Sequence, residues 1–271
     1  MAARALAPVP GEPGRGKGEC RANRHRAETI AVMTSPYDAI ADLYDPWSAS
    51  VVEDVGFYLA EARRCGGPVV ELGVGTGRIA IPIAADGTRV IGIDSSRAML
   101  DVCARRAALA GVELDLRVGD LRAPPVSEQV PLVICPFRSL LHMHTDEDRH
   151  RVLRAVRDLL VPGGRFVFDV FTPGADDIAE THDRWLEREP GIFERALWDE
   201  AARTLTLTVS GPTGETTMAL AWLAPEDWRA LLEQVGFAVE ACYGWFDRTP
   251  YEGREDIIWV TRRPDTSRAW P

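Results

Sequence analysis

The chain has 271 residues and 46% hydrophobic content, enough for one α/β domain with an elaboration. Its net charge of −10 is uneven: residues 1–32 carry +3 and the remainder −13, and so acidic a body argues against a nucleic-acid partner, because phosphate binding needs clustered cations. No window approaches the run of about 18 apolar residues that a membrane span requires. Five scattered cysteines (Cys20, Cys65, Cys103, Cys135 and Cys242), with no CxxC pair, suit a reduced, cytoplasmic chain better than a disulfide scaffold or a zinc site. The lone lysine, Lys17, leaves none for catalysis in the body.

Residues 1–32 are rich in Ala, Arg, Gly and Pro, lack apolar periodicity and contain no secretory h-region; they read as a disordered extension. The segment MTSPYDAIADLYDPW, beginning at Met33, resembles a natural start, so the native protein is expected to begin there. Residues 33–67 read as an N-terminal helical cap, helical from Tyr37 to about Glu61 with a break near Pro46.

Residues 68–173 alternate strand and helix. PVVELG is a buried strand, GRIAIPIAA a helix shortened by Pro82, and TRVIGID a second strand. SRAMLDVCARRAALA is a helix capped by Ser95 or Ser96, followed by strands in VELDLRVGD and VPLVICPF. Thr145 with Asp148 reads as a capping box opening a helix, VPGG as its stop, and RFVFDVF as a fifth strand. Continuous apolar strands between helices imply a parallel sheet covered on both faces.

The rhythm changes at 174–224. Residues 174–190 look irregular. FERALW, RTLTLTVS and ETTMALAWL then read as antiparallel strands joined by DEAA and GPTG, a small inserted sheet. Residues 225–271 return to the core: the helix PEDWRALLEQVG, started by Pro225 and ended by Gly236, precedes a hairpin-like pair, FAVEACYGWF and EDIIWVTRR.

Three acids, Glu71, Asp94 and Asp120, close the first three strands, where ligands of open α/β sheets sit. Asp94 is placed to accept from both ribose hydroxyls, and Asp120 from the exocyclic amine of adenine. Glu71 then separates two candidate ligands. A dinucleotide would press its pyrophosphate against the glycine loop, where a carboxylate repels it. S-adenosylmethionine carries a sulfonium and an ammonium instead, which a carboxylate favours. The spacing agrees: Gly73, Gly75 and Gly77 depart from GxGxxG, and Arg78 stands where the last glycine would fall.

On these motifs, over about residues 37–263, the sequence resembles the class I S-adenosylmethionine-dependent methyltransferases of small-molecule type. ELGVGTG looks like the first motif, GIDSS the second, GDL the third; LVPGG and the cap YDAIADLYD also look like the family's. The resemblance implies a Rossmann-like, seven-stranded, mostly parallel sheet with one antiparallel strand, and an antiparallel insert after strand five that helps enclose a small-molecule methyl acceptor. It implies S-adenosyl-L-methionine as cofactor, with Ser95, Met99, Leu121 and Cys135 lining its site beside the acids, the glycines and Arg78.

Methyl transfer from a sulfonium is catalysis by alignment. On the acceptor side, Arg138 is a candidate partner for a substrate carboxylate or phosphate and His142 a candidate general base. Tyr37 and Tyr44, seven apart, are candidates to cap the methionine end or position an amine, with Phe137 and Trp222 as aromatic walls. His142, His144 and His150 lack a metal-ligand pattern, so no metal is expected. Small-molecule N- or O-methylation leads. A nucleic-acid methyltransferase is disfavoured because VICPFR replaces the usual Asn/Asp-Pro-Pro-aromatic motif. An NAD-dependent oxidoreductase and a non-catalytic cofactor-binding module are the remaining alternatives.

Overall fold

The computed structural model describes residues 35–253 and 256–265. The expectations for residues 1–32 and for a start at Met33 lie outside them.

The described chain opens with a 3-10 turn, Pro36–Ile40, fixed by a cap in which Ser35 Oγ accepts the Tyr37 N–H and the Asp38 carboxylate accepts the Ser35 N–H. Helix α1 (Ala41–Trp47) follows, then α2 (Glu53–Cys65). Pro46 lies within α1, and the break falls just after it, at residues 48–52.

The core then alternates as expected: β1 (Val69–Leu72), α3 (Ala80–Ala85), β2 (Val90–Asp94), α4 (Arg97–Ala110), β3 (Asp115–Val118), β4 (Val130–Cys135), α5 (Asp146–Leu159) and β5 (Leu160–Phe171). Ser96 caps α4 by accepting from the Met99 N–H, while Ser95 is exposed. Left-handed Gly111 ends that helix.

Three local expectations are corrected. Residues 174–190 are not irregular: they hold α6 (Ala175–Thr181) and β6 (Trp185–Glu189), short elements with no buried residue to mark a period. VPGG does not separate helix from strand; β5 begins at Leu160 and carries the glycines within it, with a register shift against β4. Thr145 caps α5 through the Asp148 N–H, but the Asp148 carboxylate is drawn away by Arg122 at 3.0 Å, so the box is half made.

After β6 come β7 (Ile192–Asp199), β8 (Thr204–Gly211), β9 (Gly214–Ala221), α7 (Pro225–Val235), β10 (Ala238–Tyr243) and β11 (Asp256–Arg262). The main sheet has seven strands in the order β10-β11-β5-β4-β1-β2-β3. Its β1, β2, β3, β4 and β5 pairings are parallel, and β11 runs antiparallel to both neighbours. It is thus the Rossmann-like sheet with one reversed strand. One face packs on α2, α3 and α4 through residues such as Tyr58, Ile83 and Leu100; the other packs on α5 and α7 through Val152, Val156 and Trp228.

Strands β6–β9 form a separate antiparallel sheet. Its inner face takes Ile40 and Leu43 of the cap against Ile192, Val209 and Met218. On its other side the cap sets Ala41 against Met99 and Val102 of α4. The cap is therefore wedged between the inserted sheet and the first half of the core.

Candidate active site

The donor side is built at the carboxyl ends of β1 and β2. Gly73, Gly75 and Gly77 all have positive φ, at 72°, 55° and 84°. Side chains at two of them would also collide with neighbours. A Cβ at Gly73 would lie 2.6 Å from Ser139 Oγ, and one at Gly77 2.6 Å from Cys103 Sγ. The Gly75 N–H donates to Asp94 Oδ2 at 2.9 Å, and the Ser96 N–H to Oδ1 at 2.8 Å. A carboxylate has about four lone-pair directions, so Asp94 keeps acceptor capacity on both oxygens. Burial raises its pKa above the usual carboxylate value.

Glu71 lies within β1 rather than at its end, 2% exposed, and its Oε2 has no hydrogen-bond partner. Burial raises its pKa well above the ordinary value; Arg78 opposes the shift, and Asp54 and Asp94 add to it. A buried carboxyl without a partner is costly unless a ligand completes it.

Arg78 is turned toward the cap. Its guanidinium holds Asp54 of α2 with bonds of 2.5 and 2.7 Å, donates to the Val51 carbonyl, and stands 5.0 Å over the Phe137 ring. Asp120 is likewise engaged, gripped by Arg122, which holds its pKa below the usual value. Met99 is buried against the glycine loop, Leu121 is half-buried beside the core, and Cys135 is fully buried, which pushes its thiol pKa well up. Glu71, Asp94, Arg78 and the three glycines are thus brought together, whereas Ser95 points to solvent.

The cap contributes residues that the sequence reading did not single out. Asp38 accepts from Ser96 Oγ at 2.5 Å; Asp45 accepts from Thr76 Oγ1 at 2.5 Å and Arg106 at 2.8 Å; Asp54 holds Arg78. Three cap carboxylates therefore each hold a different part of the donor loops. Asp38 and Asp45 lie seven apart, like the tyrosines, and that helical spacing was the available signal.

The candidate acceptor residues follow β4. Phe137 and Arg138 both adopt left-handed φ, 54° and 63°, which costs non-glycine residues about 1–2 kcal/mol each. Their N–H groups converge on Asp169 of β5, at 2.8 and 3.0 Å. Tyr58 donates to the same carboxylate at 2.6 Å. Burial raises the Asp169 pKa to about 6 despite these bonds. Asp169 was also missed; its sequence signal was a lone acid inside the apolar run FVFDVF.

The chain then turns through Ser139–His142, and His142 Nε2 lies 2.9 Å from the Tyr37 hydroxyl. Burial lowers the His142 pKa to about 4 and raises that of Tyr37 well above its ordinary value. Both are therefore neutral across the physiological range, and the imidazole nitrogen facing Tyr37 is already engaged. Tyr44 meets Tyr37, Trp47 and Phe137 edge-on, at 5.9, 5.8 and 6.3 Å between ring centres. Arg138 pairs with Asp256 at 2.8 Å and lies over Phe171, so an anionic acceptor group would compete with that ion pair. Trp222 is buried against Trp198 and belongs to the hydrophobic core, not to an open wall.

Among the described residues no cluster of His, Cys, Asp and Glu has the arrangement of a metal site. His144 bonds the Ala219 carbonyl, and His150 bonds Asp146 and Gln234. No helix among them is long and apolar enough to cross a membrane.

These residues fit S-adenosylmethionine: Glu71 offers an unpartnered buried oxygen for a cation, Asp94 retains lone pairs for a diol, and the glycines allow close backbone approach. When bound, that group supplies a methyl already activated by the sulfonium.

A profile of the methyltransferase-domain family matches residues 69–164. The chain is 27% identical over 240 residues to a dTDP-4-amino-2,3,4,6-tetradeoxy-D-glucose N,N-dimethyltransferase of Saccharopolyspora spinosa, spanning 79% of this chain and 90% of that protein. It is 31% identical over 164 residues to a protein-L-isoaspartate O-methyltransferase of Methylorubrum populi, across 60% of this chain and 70% of the relative. The solved structure of the CcbJ methyltransferase from Streptomyces caelestis matches with a TM-score of 0.75 at 26% identity, covering 85% of this chain and 98% of that one. With the glycine loop, the strand-end acids and the reversed strand, these likenesses assign the chain: it belongs to the class I S-adenosylmethionine-dependent methyltransferases.

Proposed function

We propose that this enzyme methylates the amine nitrogen of a small molecule, with Tyr37 and His142 facing the acceptor. The observation that carries the reading is the buried, neutral pair they form at 2.9 Å. When Tyr37 donates its proton to His142 Nε2, its oxygen is left to accept an N–H from the acceptor. That bond would hold the nitrogen with its lone pair free for in-line attack.

The same pair disfavours an alcohol acceptor. General-base catalysis works best with a pKa near the operating pH, and an imidazole at about 4 is too weak a base to draw a proton from a hydroxyl. An amine attacks as the neutral base and loses its proton to solvent afterwards. Phe137 and Tyr44 would flank the reacting centre, and Arg138 would meet an anionic substituent in competition with Asp256. The name of the Saccharopolyspora spinosa relative specifies an amino-sugar nucleotide, and an amine on a sugar ring is the acceptor class proposed for this chain.

The test is incubation with S-adenosylmethionine and paired acceptors: dTDP-4-amino-2,3,4,6-tetradeoxy-D-glucose and other amino sugars, each beside its hydroxyl counterpart. A one-methyl mass gain on amines alone is expected. Methylation of the hydroxyl member with the amine untouched would overturn the nitrogen reading.

A further inference from the structure

The buried carboxylate of Asp169 touches neither the glycine loop nor the Tyr37–His142 pair in any hydrogen bond, yet it holds the segment that runs from one to the other. It is 4% exposed near the carboxyl end of β5, opposite Ile258 of β11. Its three donors are the Phe137 and Arg138 N–H groups and the Tyr58 hydroxyl of α2. Two successive N–H groups aimed at one anion make a nest, a geometry that ordinarily binds an external anion. Here the anion is the protein's own.

The nest holds a dipeptide that would not otherwise stay in place. Phe137 and Arg138 are both left-handed without being glycine, a conformation that persists only when its surroundings over-determine it. Contacts on both sides of the site depend on that conformation. The Phe137 ring faces Tyr44 and the Arg78 guanidinium; Ser139 Oγ bonds the Pro136 carbonyl and blocks the side-chain position of Gly73; three residues further on, His142 reaches Tyr37. The loop thus lies against the donor site at one end and carries the acceptor-side imidazole at the other.

We propose that Asp169, braced by Tyr58, is a positioning residue: it fixes the left-handed Phe137–Arg138 pair and through it sets His142 against Tyr37. The inference rests on the reading of Tyr37 and His142 as the acceptor side. Asparagine cannot replace the carboxylate here, because its amide nitrogen would face one of the N–H donors with a second donor. The groups acting on Asp169 are Tyr58 and Asp54 from α2, Arg138 from the loop, Cys135 from β4 and Arg78 after β1. Burial outweighs them and puts its titration at about pH 6, so the clamp is readable by pH.

The experiment is nuclear magnetic resonance of the full chain with bound S-adenosylhomocysteine, titrated from pH 3.5 to about 8, a range that spans both groups. In the unmodified protein the Phe137 and Arg138 amides should shift together with one midpoint near 6, and the His142 ring should titrate near 4. Asp169→Asn should abolish the amide titration and move the His142 midpoint up toward that of a solvated histidine. A change in global stability alone would not move a native-state midpoint. Tyr58→Phe keeps the nest and loses the brace, so the shared amide midpoint should rise while His142 stays. Amides with no common midpoint, or a His142 midpoint untouched by Asp169→Asn, would overturn the proposal. If the asparagine variant does not fold, an unmoved amide midpoint in Tyr58→Phe overturns it equally. No readout uses an acceptor, so failure here is distinguishable from failure of the methylation panel.

Discussion

The Asp54 carboxylate of α2 holds the Arg78 guanidinium of the glycine loop with two hydrogen bonds, 2.5 and 2.7 Å, where Asp54 is 1% exposed and the Arg78 side chain 16%. The cap and the donor loop are thereby joined by a fork-to-fork ion pair shielded from water. Breaking one side of such a pair leaves a buried charge. Asp54→Ala should lower unfolding free energy by about 3–5 kcal/mol, read from denaturant melts without ligand. A loss below about 1 kcal/mol, the range of an exposed pair, would show that Arg78 readily finds other partners.

Asp94 gives a binding prediction with an internal control. Asp94→Asn should weaken S-adenosylmethionine by about 2–3 kcal/mol through lost charge-assisted bonds. S-adenosylhomocysteine should weaken by the same amount, because the ribose is common to both. Calorimetric titration of the two ligands decides it; unequal losses would place Asp94 near the sulfur instead.

Glu71 predicts a trade of stability against binding. Its pKa is raised in the fold, so the native state binds more protons than the unfolded chain above the ordinary value of 4.5. Stability contributed by its protonated form therefore declines as pH rises from about 4.5 toward the folded pKa. Glu71→Gln should remove that decline and stabilise the ligand-free enzyme at neutral pH by about 1–3 kcal/mol. The same variant should lose more affinity for S-adenosylmethionine than for S-adenosylhomocysteine, since only the former carries the sulfonium. Thermal melts at pH 5 and 8, with and without each ligand, measure both effects.

His142 has the opposite sign. Its pKa is lowered from 6.5 to about 4, so the unfolded chain takes up its proton first as pH falls. The stability of the neutral, buried imidazole is complete above pH 6.5 and is lost progressively between 6.5 and 4. His142→Asn should flatten the acid side of the stability curve in that window. Denaturant midpoints at half-unit pH steps test it, and an unchanged slope would mean that the ring is open to water.

The strand–helix order, the final hairpin-like pair and the glycine loop were legible because each rests on short-range chemistry; the single reversed strand came only with the family resemblance. Gly73, Gly75 and Gly77 announce themselves by spacing; Asp94 by ending an apolar run. Residues 174–190 were not legible, because neither α6 nor β6 buries a residue, which erases the periodicity that marks an element. Arg78 and Arg138 were read as candidates without their partners, since Asp54 and Asp256 come from other elements, 24 and 118 positions away.

The sequence by itself determined the class of fold and the donor of the methyl group: apolar periods set the layers, three glycines call for a close backbone approach, and an acid before that loop favours a cationic ligand over a pyrophosphate. Only the tertiary structure decided what those groups do to one another. Tyr37 and His142 are 105 positions apart, and Tyr58 and Asp169 are 111 apart. No local pattern encodes such pairs. They arise when the cap packs across the strand ends, and burial there neutralises the imidazole and binds the carboxylate to the loop that carries it.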